Sequence, residues 1–70
     1  MANNAFPYTP ELRAFQAADD AWDAELVRLY GRSAGQARYE ARGIGEDGSE
    51  LRRLFHERCA AMAAWHRSAY

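Results

Sequence analysis

Only three of the seventy side chains branch at Cβ: Thr9, Val27 and Ile44. Strands draw on β-branched and aromatic residues, whereas the alanine, leucine, glutamate and arginine that dominate here are the residues most at ease in helices. The chain is therefore read as all-α.

Thr9, Pro10 and Glu11 form a strong helix start. Threonine caps orphan amides, proline tolerates the first turn, and glutamate suits the positive helix end. Beyond them Leu12, Phe15, Asp19, Trp22, Leu26 and Leu29 recur at alternating spacings of three and four, a heptad-like seam with one carboxylate inside it. Gly31 is placed to close this helix, predicted over about residues 10–30 after a tail at 1–8.

The last third repeats the plan. Asp47 with Glu50, or Ser49 alone, is suited to cap a second long helix over about residues 49–68, with a seam of Leu51, Phe55, Arg58, Met62, Trp65 and Ala69. The tripeptide ELR opens both helices, at 11–13 and 50–52, and each copy is followed by a tryptophan on nearly the same face. Two long helices with a connection of fewer than twenty residues fold most simply as an antiparallel hairpin. Asp19 and Arg58 then meet near mid-length, where an ion pair would set the helix register.

Such a chain builds only a thin core. Of the hydrophobic class, fifteen residues are alanine and nineteen are larger. A chain of this length buries only about 60% of the surface its unfolded form exposes. Alanines 14, 17, 18, 21 and 24 on the first helix, and 60, 61, 63 and 64 on the second, allow close helix approach. They serve packing within one hairpin or a homodimer that completes a four-helix bundle. The homodimer is expected, because one hairpin leaves much of Phe6, Tyr8, Phe15, Phe55 and the tryptophans in water.

The single cysteine, Cys59, has no internal disulfide partner, which fits a reducing cytoplasm. No basic leader precedes an apolar run at the start, and the longest hydrophobic-class stretch, Cys59 to Trp65, is too short to span a bilayer. A soluble cytoplasmic protein without membrane contact is expected.

Several known chemistries meet obstacles. Gly43, Gly45 and Gly48 have G-x-G-x-x-G spacing, but no strand precedes them and Glu46 and Asp47 would repel a phosphate, so they read as a flexible connector. His56, Cys59 and His66 follow no zinc pattern and read as surface or boundary histidines with a small buried thiol; no metal or cofactor is expected. Cysteine with histidine on a hairpin has no enclosed cleft or oxyanion donor, which argues against an enzyme. Arg32, Arg38 and Arg42 raise a DNA-binding or accessory repressor module as the alternative function. The net charge of -1 and the acids at 40, 46 and 47 weigh against nucleic acid.

Protein recognition remains. Ser33 and Gln36 have capping-box spacing, and Gly43 ends a predicted short helix over about residues 34–42. On such a helix Tyr39 and Arg42, three apart, project together, and Arg38 joins Arg42 at four. Tyrosine and arginine are strong interface anchors.

The stretch LYGRSAGQARYEARG, Leu29 to Gly43, followed by SELRRLF, resembles small proteins of Mu-like Pseudomonas phages and prophages, the quorum-sensing anti-activator (Aqs) family. The resemblance implies a dimeric helical hairpin that inhibits host proteins by binding them: a LuxR-type quorum-sensing activator and/or the type IV pilus assembly ATPase. It maps the family's motif of tyrosine, acid, any residue and arginine onto Tyr39, Glu40, Ala41 and Arg42. Glu40 stands where the family has aspartate, one methylene longer.

Overall fold

A computed structural model of the chain describes residues 9–69. The fold is mostly helical, with no strand among the described residues. The expected tail at 1–8, with Phe6 and Tyr8, lies outside them.

Helix α1 spans Pro10–Tyr30. The Thr9 hydroxyl accepts a hydrogen bond from the Leu12 amide at 3.1 Å, satisfying one orphan donor of the first turn. At the other end Gly31 takes a φ of 56°, which costs glycine little, and its amide bonds back to the Val27 carbonyl. The chain continues through a 3-10 turn, Gly31–Ser33, into a single-turn helix α2, Ala34–Ala37. After a second 3-10 turn, Ala41–Gly43, helix α3 spans Glu50–Ala69. Ser49 caps α3, its Oγ accepting from the Arg52 amide at 3.1 Å while donating to the Glu46 carbonyl at 2.7 Å.

The expected short helix over 34–42 is thus broken. Ser33 makes no capping bond, because it sits at φ -88°, ψ 3° inside a continuing turn and not in the extended conformation a capping hydroxyl needs. The helix stops at Ala37 because Gly43 packs against it: a Cβ on Gly43 would stand 2.1 Å from the Ala37 carbonyl oxygen. Glu40, extended at φ -123°, ψ 163°, turns the chain back to make that contact.

Between the long helices the partners descend in α3 as they ascend in α1. Phe15 stacks on Trp65 with centroids 5.5 Å apart, Asp19 meets Arg58, and Trp22 meets Phe55 at 5.5 Å. The fully enclosed core sits at the connector end. Trp22, Leu26, Ala34, Ala37, Leu51 and Leu54 are buried, with Tyr30 and Phe55 packed against them. Two of the connector's three alanines, Ala34 and Ala37, are therefore core residues, and Leu54 joins them although it is off the expected seam. Leu29, expected on the seam, is 46% exposed, because the α1 seam drifts around the helix by its last turn.

The body measures 42 × 24 × 15 Å. Its thin dimension is little more than the diameter of one helix, about 10–12 Å with side chains. Accordingly Ala14, Ala17, Ala21 and Ala24 lie exposed in a row along α1, facing away from α3. No helix among the described residues is long and apolar enough to cross a membrane.

Candidate functional site

The 19 residues from Gly31 to Ser49 are held to the long helices by four side chains, and these contacts define the candidate site. Trp22 donates its indole N–H to the Gly43 carbonyl at 2.9 Å in a buried bond. Tyr30 donates its hydroxyl to the Arg42 carbonyl at 3.0 Å. Arg52 grips the Gly45 carbonyl with Nε at 3.0 Å and Nη2 at 2.7 Å, and its third nitrogen reaches Asp47 at 3.1 Å. Arg38 reaches in the opposite direction, from connector to helix, with Nη2 3.0 Å from Asp19 Oδ1 and Nη1 3.3 Å from Asp23 Oδ1.

These bonds correct the view of residues 43–48 as a flexible connector. Gly45 and Gly48 adopt φ of 87° and 81°, in the left-handed region that favours glycine. Gly43 and Gly45 are also pressed against neighbouring backbone. The spacing that resembled a phosphate loop serves a tight chain reversal.

Asp19 and Arg58 face one another, with Arg58 Nε 2.6 Å from Asp19 Oδ1. The same oxygen accepts from Arg38. Both guanidinium groups lie against the Trp22 ring, their central carbons 4.8 Å (Arg38) and 5.0 Å (Arg58) from its centroid. Burial works to raise the Asp19 pKa, but hydrogen bonds from Arg58 and Arg38 and their Coulomb attraction outweigh it and hold the carboxyl below its ordinary range. Burial likewise opposes the charge on Arg38, and the hydrogen bond and attraction of Asp19 overcome it, raising its pKa.

The four residues expected to share one binding face divide. Arg38 turns inward to this network and does not join Arg42, because α2 ends before it and the i, i+4 relation no longer applies. Tyr39 points into solvent, 86% exposed. Glu40 and Arg42 pair at 2.6 Å, and the second oxygen of Glu40 accepts from Gln36 Nε2 at 3.1 Å. The Arg42 guanidinium carbon lies 4.9 Å from the centre of the ring of Tyr30, the last residue of α1. An open groove of about 570 Å³ runs beside it, lined by Leu29, Tyr30, Ala41, Arg42 and Leu51 among others.

Tyr30 and Arg52 were not singled out from the sequence, although both organise the site. Tyr30, as the last residue of α1, carried a signal: an aromatic with a polar tip at a helix end commonly seeks a nearby carbonyl. Cys59, expected to be buried, is exposed, because it falls on the outer side of α3 next to Arg58. No family model, no curated protein and no solved structure matches this chain.

Proposed function

We propose that this chain is a small phage-encoded protein that binds and inhibits host proteins through its connector. One observation carries the reading: Tyr39 is 86% exposed on a segment whose flanking residues, Arg38 and Arg42, are both tied to the long helices. An exposed aromatic ring on a braced backbone is suited to bury itself in a partner, since little main-chain freedom remains to be lost on binding.

In this reading Tyr39 inserts as the aromatic anchor, Arg42 offers its remaining donors to an acidic or carbonyl group, and Glu40 orients Arg42. The Glu40 to Arg42 pair and the Tyr30 ring beneath Arg42 support those roles. The resemblance of Leu29 to Gly43 to the anti-activator family supplies the target classes: a LuxR-type activator, kept off DNA by occlusion, and/or the pilus assembly ATPase, stopped from extending pili. The chemistry invoked is binding alone, without catalysis or a cofactor, in the cytoplasm of the bacterial host.

The quaternary reading is an antiparallel hairpin that pairs into a dimeric four-helix bundle. The 15 Å thickness, the exposed alanine row on α1 and the half-buried stack of Phe15 on Trp65 support it. The alternative, a DNA-binding module, would use Arg38 and Arg42, but both are already paired with carboxylates and a phosphate would have to displace them.

The test is titration calorimetry of wild type and Tyr39→Ala against a purified LuxR-type activator and a purified pilus assembly ATPase. Loss of binding in the variant, with an unchanged thermal midpoint, is the expected result. Equal affinity of the two proteins for either target, or no binding of either target by wild type, overturns the reading.

A further inference from the structure

Of residues 38–41, which carry the exposed tyrosine, Arg38 is the one with hydrogen bonds to a long helix, and those bonds end on Asp19 and Asp23. Tyr39 faces solvent, and the Glu40 side chain bonds only within the connector, to Gln36 and Arg42. Asp19 also receives Arg58 from α3 on the same oxygen. One carboxylate therefore joins all three parts of the molecule: α1, which bears it, α3 through Arg58, and the connector through Arg38.

We infer that Asp19 is a positioning residue for Tyr39: its carboxylate latches Arg38 against α1 and so fixes the segment that presents the ring. The consequence for partner binding rests on the proposed role of Tyr39, but the latch itself is testable without a partner. Two features make the carboxylate specific to this task. Its two guanidinium partners both lie against Trp22, so neutralising it leaves two cations close to one ring with Asp23 as the remaining acceptor for Arg38, at the longer distance of 3.3 Å. The segment's own backbone bonds back to α2, Arg38 N–H to Ala34, Tyr39 N–H to Gln36 and Glu40 N–H to Ala37, close only one or two turns, and such short pieces open locally at low cost.

Amide hydrogen exchange on the full-length chain reads this directly. In Asp19→Asn the amides of Tyr39, Glu40 and Gly43 exchange faster by about tenfold or more, a larger factor than for those of Leu26 and Leu54 in the core, which rise only with the loss of global stability. A residue that merely supports the fold would move both groups together. Asp19→Glu, which restores the charge, brings the connector rates back to within about threefold of wild type. Arg38→Met, which leaves the Asp19 to Arg58 pair in place, reproduces the connector acceleration and serves where Asp19→Asn does not fold. Unchanged connector rates in Arg38→Met, or an equal rise in connector and core, overturn the latch. Faster connector exchange with undiminished partner affinity leaves the latch standing and counts against the binding role of Tyr39.

Discussion

The Trp22 indole N–H and the Gly43 carbonyl, 21 residues apart in the chain, meet at 2.9 Å in the interior of the molecule. The bond fastens the connector to the middle of α1. Trp22→Phe keeps most of the apolar contact but leaves the carbonyl without its donor. A loss of about 1–3 kcal/mol in urea unfolding is expected, larger than the deletion of an exposed bond would cause.

The connector glycines differ in what they tolerate. Gly43→Ala drives a Cβ into the Ala37 carbonyl at 2.1 Å, and Gly45→Ala combines a φ of 87° with a Cβ 2.8 Å from the Arg52 amide nitrogen. Both lower stability by more than Gly48→Ala, whose Cβ meets open space and whose left-handed backbone alone costs roughly 1–2 kcal/mol. Gly35→Ala, in α2 with nothing within 4 Å, instead raises stability by about 0.5–1 kcal/mol. Thermal midpoints of the four variants give the order.

Two leucines on α1 separate the buried seam from its expected extension. Leu26 is fully buried, and Leu26→Ala is expected to cost about 2–5 kcal/mol. Leu29 is 46% exposed, and Leu29→Ala changes stability by no more than about 0.5 kcal/mol. Similar losses in both would return Leu29 to the core.

Asp19 sets an acid limit. Its pKa in the folded chain lies below the ordinary 3.8, so the unfolded chain binds the proton more readily. The stabilisation is fully present above the unfolded value and is lost as pH falls through the lower folded value. The difference in thermal midpoint between wild type and Asp19→Asn is therefore flat from neutral pH down to about 5 and shrinks only below the carboxylate range. A difference that changed between pH 6 and 8 would point to another group.

Tyr39→Ala leaves the thermal midpoint within the shift expected for about 0.5 kcal/mol, because the ring touches little of its own chain. Melting curves of the two proteins at equal concentration are the check.

Much of the local structure was legible in the residues. Thr9 and Ser49 cap helices because short hydroxyl side chains reach orphan amides from the preceding residue, and Gly31 ends α1 because it alone is at ease at φ 56°. The facing of Asp19 and Arg58 follows from two seams of fixed period joined by a short connection. The connector was far less legible. Spacing placed Arg38, Tyr39 and Arg42 on one helix, yet the helix ends at Ala37.

The reason is the range of the deciding forces. Helix propensity, capping and seam periodicity act over three or four residues, so the sequence by itself determined two long helices, where they begin, and their seams apart from Leu29 and Leu54. What ended α2, buried Ala34 and Ala37, turned Arg38 inward and left Tyr39 outside were contacts from Trp22, Asp19 and Arg52. Those lie 7 to 21 residues away along the chain, and only the tertiary structure brings them to the connector.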